Sequence, residues 1–158
     1  MSNSGRGAER WCDDGGVAVE LLALVIDSRS PSELARFWAR ALRWDVTNTA
    51  SGDVQLVPTD PTGFHLLFRG STDAKVAQNP IHFDLTSTSI DEQKSSVADL
   101  IANGARPADV GQVGDEGHVV LADPEGTEGN PRTTWVVLAD PEGNEFCVFP
   151  PPEAEPQA

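Results

Sequence analysis

The octapeptide Val-Val-Leu-Ala-Asp-Pro-Glu-Gly occurs twice in this chain, at 119–126 and again 17 positions later at 136–143. A weaker version, Leu56-Val57-Pro58-Thr59-Asp60-Pro61-Thr62-Gly63, lies upstream. In each, an apolar run leads into Asp-Pro-x-Gly. Proline presets φ, aspartate bonds the following backbone, and glycine accepts positive φ, so the motif is a turn. Apolar residues continue on the far side, as Phe64–Phe68 upstream and Phe146–Phe149 at the end, which makes each a hairpin signal. A chain that repeats such a unit at long range is constrained to two similar halves, and a cleft between halves is a natural ligand site.

The rest of each half repeats as well. Ser30-Pro31-Ser32-Glu33 and Ser89-Ile90-Asp91-Glu92 are capping-box sequences, the first with proline at the first helical position. Leu34, Phe37, Trp38, Ala41 and Leu42 follow the first at helical spacing. Ile90, Val97, Leu100 and Ile101 follow the second, with Gly104 as a stop. Strand-like runs, 19–27 and 80–86, precede the helices. Each half therefore orders as strand, helix and about three strands.

The spacing locates an insertion. The helix caps Ser30 and Ser89 are 59 residues apart, whereas the turn residues Asp60 and Asp140 are 80 apart. Measured to Asp123 of the first octapeptide, the distance is 63. A local duplication of about 117–133 accounts for most of the surplus. Only the second copy is followed by Phe146-Cys147-Val148-Phe149, so the expected core hairpin is 135–149, with the first copy an extra strand, a lid or an excursion.

A length of 158 residues suits one domain with a real core, expected over 17–150 with modules at about 19–70 and 79–149. The polar, Gly-rich stretch 1–16 and the Pro/Glu-rich stretch 151–158 read as disordered tails. No signal peptide or membrane span is recognisable, and Cys12 and Cys147 are too few for a disulfide framework. A cytoplasmic location is the expectation. The net charge of −14 argues against nucleic acid and anionic membranes as partners. It favours solubility and the attraction of small cations.

Three further segments carry a resemblance. Ile26-Asp27 with 34–44 (LARFWARALRW), Ile81-His82-Phe83-Asp84-Leu85, and Asp140-Pro141-Glu142-Gly143-Asn144-Glu145-Phe146 resemble the vicinal oxygen chelate superfamily of glyoxalase, bleomycin-resistance and dioxygenase proteins. Within it they are most similar to actinobacterial-type glyoxalase-like domains. The resemblance implies an α+β fold, two βαβββ modules whose mixed sheet curls around a central cup, and often a homodimer. In metal-dependent relatives it implies a divalent ion held by a first-strand His, a His opening the second module and a Glu on the closing strand.

Carried over by position, that set is degenerate, and the expectation is that no metal or other cofactor is bound. His82 matches the second-module His. The first strand offers only Leu or Ala, and Cys147 stands where the Glu is expected, with Glu145 one pleat away. A rearranged site of His82, His65, Glu145 and Cys147 would suit zinc, iron, manganese or nickel if all four converged. In a metal-free enzyme, the catalytic residues would be His82 as general base, with Asp84 or Glu145 orienting or tuning it. Trp44, Asp84 and Trp135 are the candidate ligand-binding residues, the indoles offering an apolar face and one donor. Against these stand plainer roles: Cys147 as a small buried hydrophobe, His82 bonded to Asp84 or a carbonyl, and Asp140 and Glu142 as turn residues without chemistry.

The resulting expectation is a glyoxalase-like small-molecule-binding protein with a degenerate metal site. The alternatives are a metal-dependent lyase, isomerase or dioxygenase, and a drug-sequestering resistance protein.

Overall fold

A computed structural model describes residues 19–110 and 135–151. The expected tails, apart from Pro151, and the first octapeptide lie outside the described residues. The first module runs β1 (Ala23–Ser28), α1 (Pro31–Leu42), β2 (Asp45–Asn48), β3 (Val54–Val57) and β4 (His65–Gly70). The second runs β5 (Phe83–Thr86), α2 (Ile90–Ala102), β6 (Arg106–Pro107), β7 (Val136–Ala139) and β8 (Glu145–Phe149). The sheet orders are β1-β4-β3-β2 and β5-β8-β7-β6, so the second module repeats the topology of the first. In each, the first strand lies parallel to the last and the other pairs are antiparallel. This is the α+β, paired βαβββ arrangement. The two sheets remain separate four-stranded units and do not close into one curled sheet.

The expected hairpin of the second octapeptide is present as β7, the turn and β8, with Val137 opposite Cys147 and Ala139 opposite Glu145. Gly143 has φ +91°, the conformation its turn position demands. The two helix starts differ. At α2 the capping side chain engages: Ser89 accepts from the Glu92 N–H at 3.1 Å, and the Glu92 carboxylate accepts from the N–H of Thr88, one residue before the cap, at 2.8 Å. At α1 the Ser30 side chain caps nothing. The Glu142 carboxylate, from the closing turn of the other module, accepts from the Ser30 N–H at 2.8 Å, the Arg29 N–H at 3.1 Å and the Ser28 hydroxyl at 2.8 Å. An acidic group is favourable at a helix N-terminus, and here it comes from 112 residues away.

One core joins the modules. Helix α1 packs on the first sheet through Leu34 and Ala35, both fully buried. Its Trp38 ring lies edge-on, with centroids 5.0 Å away, to both Phe83 and Phe146 of the second sheet. Strand alternation places Leu24, Ile26, Leu66 and Phe68, with Phe83, Leu85, Phe146 and Val148, in this core. The opposite sheet faces carry Val25, His65 and Leu67 in the first module, and Asp84, Glu145 and Cys147 in the second.

Candidate functional site

The edge strands β1 and β5 bound a cavity of about 640 Å³. Leu24, Val25 and Ile26 line one side, Ile81, His82 and Phe83 the other, and Trp38 reaches it from α1. The linker residues Asp73 and Lys75 and the closing turn complete the wall. The volume suits a small organic molecule.

The turn beside this slot is built on Asp140, which is fully buried. Its carboxylate accepts from the Trp38 indole N–H at 3.1 Å, the Glu142 and Asn144 N–H groups at 2.9 Å each, and the Asn144 amide at 2.9 Å. Burial pushes its pKa above the ordinary value, against the pull of these donors. Asp60 repeats the design in the first module, accepting from the Trp44 indole at 2.7 Å and the Thr62 N–H at 2.8 Å. Trp44 is thereby committed to the core, away from the slot. Trp135 stacks on Phe149 with centroids 5.5 Å apart, also apart from the slot-lining residues. Trp38, which the helical stripe marks as core, is both core and slot wall.

The candidate metal ligands divide. His65 sits on β4 opposite Ala23, in the other sheet. Glu145 is engaged by the linker: Lys75 Nζ lies 2.7 Å from its carboxylate, and the Asn79 N–H donates at 3.1 Å. Burial raises the Glu145 pKa, but the Lys75 and Asn79 donors outweigh it and hold the carboxyl below its usual range. His82, Asp84 and Cys147 do come together, their donor atoms all within 4.8 Å of one another. His82 Nε2 lies 3.3 Å from Asp84 Oδ1. Asp84 and Cys147 are register partners across parallel β5 and β8. Burial, with the neighbouring Asp84 charge and hydrogen bond, pushes the Cys147 thiol up to about 11. Sequence spacing brings out the His82/Asp84 alternation. It gives no signal for the strand register that selects Cys147 over Glu145, or for Lys75 and Asn79, which sit in an unpatterned linker.

The ion implied by the resemblance requires a His/His/Glu set. The first-strand positions hold Leu21, Leu22 and Ala23, and the closing-strand position holds the buried thiol of Cys147. These residues do not fit that set.

Two βαβββ modules of identical strand order, flanking a small-molecule-sized slot, define the class of paired-module α+β proteins that hold a ligand beside or between their sheets. The chain belongs to the glyoxalase-like domain family, whose profile matches residues 23–130. That match runs through the first octapeptide, whereas β7 and its turn are built from the second. No functionally curated protein matches the sequence.

Among solved structures, the fold is similar to a glyoxalase/bleomycin resistance protein/dioxygenase family enzyme from Burkholderia phytofirmans PsJN. The identity is 14% over 84% of this chain and 98% of that one, with a TM-score of 0.59. It is also similar to the oxidase ChaP-H2, with 18% identity over 86% and 96% and a TM-score of 0.55. A third is TnmS3, an antibiotic binding protein from Streptomyces sp. CB03234, with 13% identity over 87% and 99% and a TM-score of 0.53.

Proposed function

We propose that this protein binds a small cationic aromatic molecule in the slot between β1 and β5, in a family member whose usual metal triad is lost. The slot carries the reading: Val25, Ile26, Phe83 and Trp38 offer apolar contact, and Asp27 and Asp73 add negative charge at its wall. The chain's net charge of −14 draws a cation toward it. TnmS3, an antibiotic binding protein of similar fold, supports a sequestering role. A cytoplasmic location fits this reading, and among the described residues no helix is long and apolar enough to cross a membrane. The active unit is a homodimer, because exposed apolar side chains, Val25 at 42% and Ile81 at 67%, line the slot.

A second reading, a metal-dependent lyase, isomerase or dioxygenase, draws on the grouping of His82, Asp84 and Cys147. In a metal-free enzyme, His82 at the slot wall is instead the general base and Asp84, 3.3 Å away, orients it.

The test is a titration with acridinium- and quinolinium-type cations and their neutral isosteres, followed by tryptophan fluorescence. We expect saturable quenching by the cations, weakened by salt. Val25→Trp, which fills the slot from a solvent-exposed strand position, costs about tenfold or more in affinity, equivalent to about 1.4 kcal/mol. Quenching by none of the probes, or equal affinity in Val25→Trp, overturns the proposal.

A further inference from the structure

We propose that Lys75 is an internal competitor for the ligand of the slot: its ammonium occupies Glu145, the carboxylate that anchors the ligand's cationic head, and a ligand bearing a protonated amine displaces it. This rests on the reading of the slot as a site for an aromatic cation, and adds which group holds the charge and what guards it.

The anchor follows by elimination. Five acids line the slot: Asp27, Asp73, Asp140, Glu142 and Glu145. Asp140 holds the Trp38 indole and the closing turn, and Glu142 caps α1. Exchanging those donors for a ligand would undo the turn or the helix start. Asp27 and Asp73 are exposed, where a single ion pair gains little against water and salt. Glu145 differs from all four. Its side chain is 17% exposed, and one oxygen is fixed by the Asn79 N–H at 3.1 Å. The other accepts from Lys75 Nζ at 2.7 Å, an ammonium on a flexible four-carbon stem. That bond can be exchanged without moving the backbone.

Lys75 stands where a ligand's ammonium would. It lies in the linker between the modules, which forms no helix or strand between Gly70 and Phe83. Val76 beside it is 94% exposed, yet the Lys75 side chain is only 24% exposed. It reaches inward along the closing turn, where a Cβ on Gly143 would lie 3.8 Å from its Cδ, and donates also to the Ala77 carbonyl at 2.6 Å. The linker is clamped on either side of it. The Ser71 N–H donates to the Ser28 carbonyl at 2.8 Å, and the Asn79 side chain donates to Asn144 Oδ1 at 3.0 Å. Releasing Lys75 therefore leaves both clamps and every sheet bond in place.

The exchange defines the ligand class. A bound ligand covers Glu145 from solvent, and a covered carboxylate needs both a counter-charge and a hydrogen-bond donor. A primary or secondary ammonium, or a protonated ring nitrogen, supplies both and so replaces what Lys75 gave. A quaternary ammonium supplies the charge alone. The slot therefore prefers N–H-bearing aromatic cations over their fully alkylated counterparts. Affinity is reduced by the fraction of molecules in which Lys75 leaves Glu145 free.

The experiment is a calorimetric titration of the full chain with 1-naphthylmethylammonium, its N,N,N-trimethyl counterpart and neutral 1-naphthylmethanol. Wild type is compared with Lys75→Met, Glu145→Gln and the double variant. Methionine keeps an aliphatic stem against the turn, and glutamine keeps an acceptor for Asn79. We expect Lys75→Met to bind the primary ammonium about fivefold or more tighter than wild type, and Glu145→Gln about fivefold or more weaker. In the Glu145→Gln background, Lys75→Met changes affinity by less than about twofold, because the shared carboxylate is gone. The gain in Lys75→Met is larger for the primary than for the trimethyl ammonium, and this contrast decides alone should Glu145→Gln not fold. Lys75→Met binding no tighter than wild type overturns the proposal. So does an equal gain in both backgrounds and for both cations, which is the signature of removing a positive charge without displacement. If wild type binds the cations and Val25→Trp loses them while Lys75→Met changes nothing, this inference falls and the slot reading stands. If neither wild type nor Lys75→Met binds any of the three compounds, the slot reading falls with it.

Discussion

Asp140 is a fully buried carboxylate whose four accepted hydrogen bonds tie the closing turn to the indole of Trp38. In Asp140→Asn one oxygen becomes an NH₂ group facing the Trp38 and Asn144 donors. A buried donor left without an acceptor costs about 1–3 kcal/mol, so the variant melts less stably by about 2 kcal/mol. The pH dependence has a defined sign. Burial raises the folded-state pKa of Asp140, so the folded protein binds the proton more readily than the unfolded chain. The contribution of this group is present in full below its unfolded pKa and is lost as pH rises through the folded pKa. Wild type therefore gains on Asp140→Asn as pH falls through the acidic range, and the gap between their unfolding free energies widens. Denaturant melts of the pair across that range measure it, and a gap that narrows toward acid would refute the assignment. At this scale the sequence was informative about residue type and silent about role: Asp140 and Glu142 read as turn residues. The one is a buried hub and the other caps a helix in the opposite module, because their partners lie more than 100 residues away.

Among the elements, the repeats were legible and the register was not. Capping sequences, the helical stripe of Leu34, Phe37 and Trp38, and the Asp-Pro-x-Gly turns located both helices and both long hairpins. Strand β6 is two residues long and carries no alternation to read. The pairing of Asp84 with Cys147 depends on how two distant strands slide past each other, and local pattern does not encode it. The duplicated octapeptide is a sharper case. Identical letters cannot tell which copy enters the sheet; the apolar Phe146-Cys147-Val148-Phe149 after the second copy does, because β8 must supply Phe146 and Val148 to the core. Every described strand is formed without 117–133. Deleting those residues is therefore expected to leave a cooperative melt with the far-ultraviolet spectrum retained. Loss of cooperative unfolding would show that the first copy contributes to the core.

For the whole molecule, the unpaired strand edges beside the slot govern association. Two sheets share one core through α1, yet β1 and β5 remain edge strands beside the slot. Unpaired edges and exposed apolar side chains are costly in an isolated soluble chain. Val25 and Ile81 in the slot wall, with Leu21 and Leu22 just before β1, supply such a patch, each 42% exposed or more. A second copy related by a twofold axis would bring the same patch against itself and narrow the slot's mouth, so ligand affinity and association are coupled. Light scattering on the full chain is expected to give twice the chain mass. Leu22→Glu places a charge in the patch without touching the core, and is expected to shift the mass toward monomer while the melt of the dilute protein is little changed. If the dimer is what closes the slot, the same variant weakens aromatic-cation binding in proportion to the monomer present, and raising the protein concentration restores both. A monomeric wild type, or a monomeric Leu22→Glu protein that binds the cations as tightly as wild type, would show that the slot works within a single chain.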